Sequence, residues 1–302
     1  MSSRIQGNRA CITTENPNIS RILEEGQKCP LLRVLTQIAR AIPLSAIFAL
    51  TIPYVSAHER VDFIKQDQFT TEKVDGILRS KALSRHSTSH GDVIASVSSA
   101  FLATPYQANR LIGSSSTTEV LVADLSEVDC LTLIDYIEAL TRSSDEKTFI
   151  KNLVRTRYVD GRVDYRSRKH FFSDWYAATP ANASDVTKEI SHAYITAEKE
   201  LNSKPDGGEY VTGLGITHRE INYIPTHAIN QTVINRLKTG DYIGIYSPSV
   251  GLDVSHVGIV IKNEQGVWFR NASSKAENMR VVDSPFMEYV ASTPGIVVLR
   301  AE

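Results

Sequence analysis

The chain has few of the residues and motifs that mark common hydrolase and metal sites. Its 302 residues include three cysteines and eight histidines, with no HExxH motif and no G-x-S-x-G motif. A structural zinc site needs several thiolates or histidines at suitable spacing, and a serine hydrolase of the α/β type needs the second motif. The sequence therefore predicts neither a metal site nor serine-based chemistry, and we expect no cofactor.

The charge pattern excludes another class of partner. Lysine and arginine number 33 and aspartate and glutamate 34, so the formal net charge is −1, and no basic tract occurs. A nucleic-acid-binding protein normally carries a clustered basic surface. With 42% hydrophobic and 22% charged residues, the composition is typical of a globular chain. We expect no nucleic-acid partner, and the composition does not indicate an oligomeric state.

Residues 28–57 predict a secretory signal peptide. Three basic side chains precede the uncharged run AIPLSAIFALTIPY (41–54), and small residues follow it up to Ala57. This run is shorter than the about 20 apolar residues of a membrane helix, which favours a cleaved signal over a signal anchor. We expect residues 58–302 to form one exported domain, periplasmic or secreted, with no stable membrane span. The role of residues 1–27 is not indicated.

Cleavage after Ala57 would also remove Cys11 and Cys29, leaving Cys130 as the one cysteine of the mature chain, without an internal disulfide. Cys130 lies in VDCLTLIDYIEAL (128–140), whose apolar residues recur at helical spacing. Asp129 is a good N-cap, so Cys130 is predicted to be the first helical residue, where the helix dipole favours a thiolate. A lone cysteine beside an apolar stripe is more often a core residue. For Cys130, the predicted export and the position at the helix start favour a catalytic role instead.

The rest of the chain predicts an α+β fold. Residues 69–83 and 92–102 have helical periodicity, with Leu83 on the buried face of the first helix, and residues 141–235 form a mixed insert. Within this insert, Asp160-Gly161 predicts a turn between two short strands. From residue 237 onward the pattern becomes that of β-strands.

A hairpin near the C-terminus brings a histidine and an asparagine together. A two-residue turn at Glu264-Gln265 places His256 opposite Ser273 and Gly258 opposite Asn271. His256 and Asn271 then share one face as diagonal neighbours, about 7 Å apart at the backbone. A three-residue turn would place them on opposite faces. Each residue alone is more often structural, but together with Cys130 they have the composition of a Cys-His-Asn relay.

These motifs resemble those of the NlpC-like papain-fold cysteine peptidases, and the longer stretches resemble the N-acetylmuramoyl-L-alanine amidase-like family within them. The stretches that carry the resemblance are FLATPYQANRL (101–111), EVDCLTLIDYIEAL (127–140), RYVDGRVDYRSRKHFFSDW (157–175), TGDYIGIYSPSVGLDVSHVGIVI (239–261) and GIVVLR (295–300).

The resemblance implies a papain-like core, with the nucleophile on an N-terminal helix packed on an antiparallel sheet, and it assigns roles to named residues. Cys130 is implied to be the nucleophile, His256 the general base and Asn271 its orienting partner. Tyr106 matches a tyrosine whose hydroxyl lies near the oxyanion. Many relatives have histidine where this chain has Asn271.

Further residues are candidates for substrate binding. They lie in the insert and beside the predicted base: Arg166, Arg168, His170, Trp175 and Ser255. Arginines and aromatic rings suit the carboxylates and sugar faces of a muropeptide. The alternative is a surface ion pair with a core tryptophan.

The sequence thus predicts an exported cysteine amidase acting on peptidoglycan, which would cut the N-acetylmuramoyl-L-alanine bond or an amide of the stem peptide. The alternatives are a D,L-endopeptidase or an acyl or peptide transferase on the same fold, or a non-catalytic cell-wall-binding module.

Overall fold

The structure of the chain is a computed structural model that describes residues 64–83 and 89–301. The predicted signal peptide with its cleavage site, and both Cys11 and Cys29, lie outside these residues. Among the described helices, none combines the length and apolar character needed to cross a bilayer.

The described residues form eight α-helices and ten β-strands. The helices are α1 Gln68–Leu83, α2 His90–Ser99, α3 Cys130–Thr141, α4 Glu146–Arg157, α5 Asp174–Ala177, α6 Thr187–Ile190, α7 Gln231–Arg236 and α8 Phe286–Val290. The strands are β1 Ile64–Lys65, β2 Leu121–Val122, β3 Ser184–Asp185, β4 Ile195–Leu201, β5 Thr217–Pro225, β6 Tyr242–Tyr246, β7 Val254–Asn263, β8 Gly266–Ser273, β9 Arg280–Pro285 and β10 Gly295–Arg300.

Eight of these strands make one antiparallel sheet, which confirms the predicted α+β class. Seven strands follow the order β4-β5-β10-β6-β7-β8-β9, and β3 pairs with β10 beside β5. The short strands β1 and β2 pair in parallel away from this sheet. Helix α3 packs against β7 and β8, and α2 and α4 pack on α3. The helices therefore cover the strands on which His256 and Asn271 lie.

Helix α3 is buried almost all round, more completely than the predicted one-sided stripe. Its polar residues are buried too, and each has a partner. Asp135 accepts a hydrogen bond from Arg157 Nε (2.9 Å), and Glu138 accepts from Arg142 Nε (2.6 Å) and from the Tyr242 hydroxyl (2.8 Å). Buried polar groups are tolerated when they are paired in this way. The helix start that carries Cys130 is thus fixed from several sides.

The hairpin register agrees with the prediction. The pairs run from Ile259 opposite Arg270 to Asn263 opposite Gly266, which is the register of a two-residue turn. The strand predicted before it, β6, is also present.

Other local predictions were wrong. Leu83 is 83% exposed at the end of α1, and the second helix ends at Ser99 rather than Leu102. The residues around Asp160-Gly161 form a 3-10 turn with positive φ at both positions, and the flanking segments meet in a single bridge instead of two strands. Leu83 follows the buried Val74 by nine residues, which at about 100° per residue places it on the opposite side of the helix.

Gly258 has no room for a side chain and supplies a stability test. A Cβ built there would lie 2.5 Å from the Arg270 carbonyl oxygen and 2.6 Å from the Phe269 ring. We expect Gly258→Ala to lower the free energy of unfolding by about 1–3 kcal/mol, because the core must shift to accept the methyl group.

Gly76 is the matched control. It lies inside α1, and a Cβ there meets nothing within 4 Å. We expect Gly76→Ala to raise stability by up to about 1 kcal/mol, the helix-propensity gain of alanine. Urea unfolding of both variants measures the difference. Equal stability of the two alanine variants would contradict the tight contact at Gly258.

Candidate active site

Cys130 begins α3 as the sequence predicts. The Asp129 carboxylate accepts a hydrogen bond from the Thr132 backbone N–H (2.8 Å), and the Asp129 N–H donates to the Thr132 hydroxyl (2.9 Å). This reciprocal capping box fixes the first turn of the helix. Cys130 has no exposed surface. Burial raises the pKa of the Asp129 carboxyl above its ordinary value. The cysteine therefore lies at a rigid, capped helix N-terminus.

In this structure the sulfur of Cys130 is in a disulfide, so it is not a free thiol. The two other cysteines of the chain, Cys11 and Cys29, lie outside the described residues. The prediction of no internal disulfide applies to the mature chain, from which residues 1–57 have been removed. Any chemistry that uses this sulfur as a nucleophile requires the reduced form.

His256 and Asn271 are brought together as predicted. The His256 Nε2 and Asn271 Oδ1 atoms are 3.0 Å apart, and both residues are buried. Asn271 Nδ2 donates to the Phe269 carbonyl oxygen (3.0 Å), which can only accept, so Asn271 presents its own oxygen to the imidazole. The neutral ring of His256 thus carries its proton on Nε2, and Nδ1 is its acceptor nitrogen.

A β-bulge beside His256 sets the direction in which its side chain points. His256 pairs with Ile245, whereas Tyr246 pairs with Val254, so Ser255 is an extra residue in β7. The Ser255 hydroxyl is 3.5 Å from the Ile245 carbonyl oxygen. Bulges bend a strand locally and frequently occur beside active sites. Ser255, predicted to bind substrate, is half-buried next to the base, and in this structure its position shapes the strand.

Two aromatic rings enclose His256. The Tyr289 ring stacks on the imidazole with centroids 6.2 Å apart and planes at 26°, and the Phe269 ring meets it edge-on at 6.0 Å. Burial lowers the pKa of His256 to about 4; the hydrogen bond to Asn271 acts against this fall, and the charge of Lys275 adds to it. His256 is therefore neutral at pH 7, as a proton acceptor must be.

The loop that follows β8 links His256 to the start of α3. The Ser274 side chain acts on the phenol of Tyr106 and lowers its pKa, and the charge of Asp129 acts on the same phenol and raises it. The backbone around Tyr106 pairs with Val128, two residues before Cys130. Burial and the Asp129 charge raise the pKa of Tyr106, so its hydroxyl stays protonated and can donate. Tyr106 is thus close to the capped N-terminus of α3.

The insert residues predicted to line a groove differ widely in exposure. Trp175 is 1% exposed, and its ring meets the Tyr242 ring edge-on at 4.9 Å. Arg168 is 5% exposed and donates from Nε to Glu119 Oε1 (3.0 Å). Arg166 is exposed. Trp175 is therefore a core residue, as the alternative prediction has it, whereas the ion pair of Arg168 with Glu119 is buried and not at the surface.

His170 is buried as well. Its Nε2 lies 2.7 Å from the Tyr165 carbonyl oxygen, and burial, with the charge of Arg168, lowers the pKa of His170 to about 3. His170 also borders a small cavity that it shares with Leu131 and Val257. Substrate contact by His170, Arg166 or Ser255 stays a prediction.

Sequence reasoning missed Tyr289, Phe269, Ser274 and Lys275. Helix α8, which carries Tyr289, has only five residues, too few to show a periodic pattern. Phe269 ends the apolar run Val267-Trp268-Phe269 in β8, which indicates burial but not the contact with His256. Among the described residues, no group of three histidine, cysteine or acidic side chains is arranged to hold a metal ion. One HxxxH spacing occurs, from His86 to His90, and His86 lies outside the described residues.

Solved structures with the same fold include proteins of two bacteria. An N-acetylmuramoyl-L-alanine amidase from Bacteroides uniformis is 28% identical, with a TM-score of 0.61 over 70% of this chain and 99% of its own. A Legionella pneumophila protein of the DUF1460 family has a TM-score of 0.64 at 21% identity, over 78% of this chain and 97% of its own, and this likeness concerns the fold. No functionally curated protein matches the sequence significantly. The profile described as N-acetylmuramoyl-L-alanine amidase-like matches residues 96–296, which span α3, the hairpin and all the candidate site residues, and the chain therefore belongs to this AmiA-like family.

Proposed function

We propose that this protein is a cysteine amidase that hydrolyses an amide bond of peptidoglycan, the bond between N-acetylmuramic acid and L-alanine or one within the stem peptide. The observation that carries the proposal is the buried hydrogen bond between His256 Nε2 and Asn271 Oδ1, 3.0 Å long, in a chain of an amidase-like family. This bond orients the base, and Cys130 at the start of α3 supplies the sulfur. This pairing of the imidazole with a buried amide supports a papain-like relay as the mechanism.

The first half of the reaction forms a thioester. His256 Nδ1 accepts the proton of the reduced Cys130 thiol, and the sulfur attacks the carbonyl carbon of the scissile amide. The carbon–nitrogen bond then breaks, and the imidazolium returns the proton to the leaving amine. Asn271 accepts from Nε2–H throughout and so stabilises the imidazolium while it exists.

The second half releases the acid. Water gives a proton to His256 Nδ1 and attacks the thioester carbon, and the carbon–sulfur bond breaks to regenerate the thiol with the proton from the imidazolium. The negative oxygen of each tetrahedral intermediate would receive hydrogen bonds from the Cys130 backbone N–H and the Tyr106 hydroxyl. The raised pKa of Tyr106 keeps that hydroxyl a donor at neutral pH.

Replacement of Cys130 tests the nucleophile. We expect Cys130→Ala and Cys130→Ser to lose at least about a thousandfold in rate on purified peptidoglycan, since the relay has no other sulfur. Release of soluble muropeptides, analysed by mass spectrometry under reducing conditions, measures the rate and identifies the bond cut.

The double variant Cys11→Ser, Cys29→Ser is the control and should keep its activity. Cleavage by Cys130→Ala at a rate close to that of the native protein would rule out the cysteine mechanism. Products joined to an added amine instead of water would indicate a transferase, and binding of cell wall without cleavage by the native protein would indicate a binding module.

The pH profile tests the environment of His256. The base must be neutral, so the rate should fall as the pH drops through its pKa of about 4. Asn271→Asp places a negative charge beside the ring, favours the imidazolium and should move this acidic limb upward by about one unit or more. Asn271→Ala removes a contact that raises the pKa of His256. The acidic limb of its pH profile should therefore not move upward, and its maximal rate should fall. An acidic limb near pH 6.5 in the profile of the native enzyme would contradict the conclusion that burial lowers the pKa of His256.

Export is the remaining part of the proposal. The basic, apolar and small residues of 28–57 support cleavage after Ala57. Sequencing the N-terminus of the protein recovered from a periplasmic or culture fraction should return a start at His58. Recovery of the intact chain in the membrane fraction would instead indicate a signal anchor.

A further inference from the structure

Lys275 lies beside the aromatic ring that covers His256. It is exposed on the loop between β8 and β9, and its Nζ is 5.2 Å from the centroid of the Tyr289 ring. The same ring stacks on His256. The cation–π contact holds the ammonium beside the aromatic wall of the site. The neighbouring Ser274 contacts Tyr106, so this loop reaches both sides of the candidate active site.

The charge of Lys275 is not neutralised by the protein. Within residues 64–83 and 89–301, no carboxylate lies at ion-pair distance from its Nζ. Two other cations of this region differ in this respect: Arg110 pairs with Asp124 and Glu127, and Arg270 pairs with Asp283. The Lys275 charge also acts against protonation of His256. A bound anion would relieve this repulsion during the reaction, when the imidazolium forms.

We propose that Lys275 binds a carboxylate of the substrate peptide close to the scissile amide, so that the enzyme selects stems with a free carboxylate over stems in which it is amidated. This inference rests on the proposed function and adds a substrate preference to it. An ammonium on a flexible stem recognises a carboxylate as a point charge without demanding one geometry. Its exposed position suits recognition that salt can weaken.

Two synthetic substrates isolate this contact. One is a muramoyl dipeptide with a free α-carboxylate, and the other is its α-amide, so the pair differs in a single charge. We expect the native enzyme to cleave the acid with a kcat/KM up to about fivefold higher, the range of an exposed charge pair. Raising the salt concentration should reduce this ratio.

Lys275→Met should bring the acid-to-amide ratio close to one and leave cleavage of the amide nearly unchanged. Lys275→Arg keeps the charge and should keep the preference. The matched control is Lys188→Met, because Lys188 is an exposed lysine on a tyrosine ring, 5.0 Å from the centroid of Tyr194, that is not among the groups acting on His256. This variant should leave the ratio at its native value.

The outcomes separate the two proposals. An unchanged acid-to-amide ratio in Lys275→Met, or an equal loss on both substrates, would overturn the carboxylate contact while leaving the amidase intact. Failure of the native enzyme to cleave either dipeptide or purified peptidoglycan would overturn the proposed function and this inference with it. A native preference for the amide would overturn the inference alone.

Discussion

A helix that is buried on nearly every side must find a partner for each polar group it carries. In α3 the partners come from three directions: Arg157 on α4, Arg142 at the helix end and Tyr242 on β6. Removing one partner of such a buried charge typically costs several kcal/mol, because the other charge stays buried. These contacts fix the rotation and the depth of α3, and thereby the place of Cys130 at its N-terminus. The candidate site depends on this fixed helix start.

The pKa of His256 is set by exclusion of water and not by a counter-charge. His256 has aromatic rings on two sides and a neutral amide at Nε2, and its nearest influential charge is a cation. Each of these features favours the neutral imidazole except the amide, which stabilises the protonated ring. Asparagine as the third residue suits this environment, since it orients the ring without the large pKa rise that a carboxylate would cause.

The parts of the site that depend on nearby residues in the sequence could be predicted. Asp129 caps the helix through its own first turn, and the two-residue turn at Glu264-Gln265 sets the hairpin register, which places His256 and Asn271 on one face. The parts that depend on distant packing could not. Arg168 and Trp175 look like surface recognition residues because arginine and tryptophan often are, yet their partners Glu119 and Tyr242 are far away in the chain. The bulge at Ser255 likewise depends on the neighbouring strand β6.

The short loop after β8 has a consequence for how relatives of this protein could diverge. One residue of the loop contacts Tyr106 and the next lies against the ring that covers His256. The ends of the loop are held by β8 and β9, which pair from Trp268 opposite Pro285 to Ser273 opposite Arg280. The whole loop between β8 and β9 could therefore be replaced by a different one. Such an exchange would alter the rim of the candidate site and leave unchanged the helix and the hairpin that carry Cys130, His256 and Asn271.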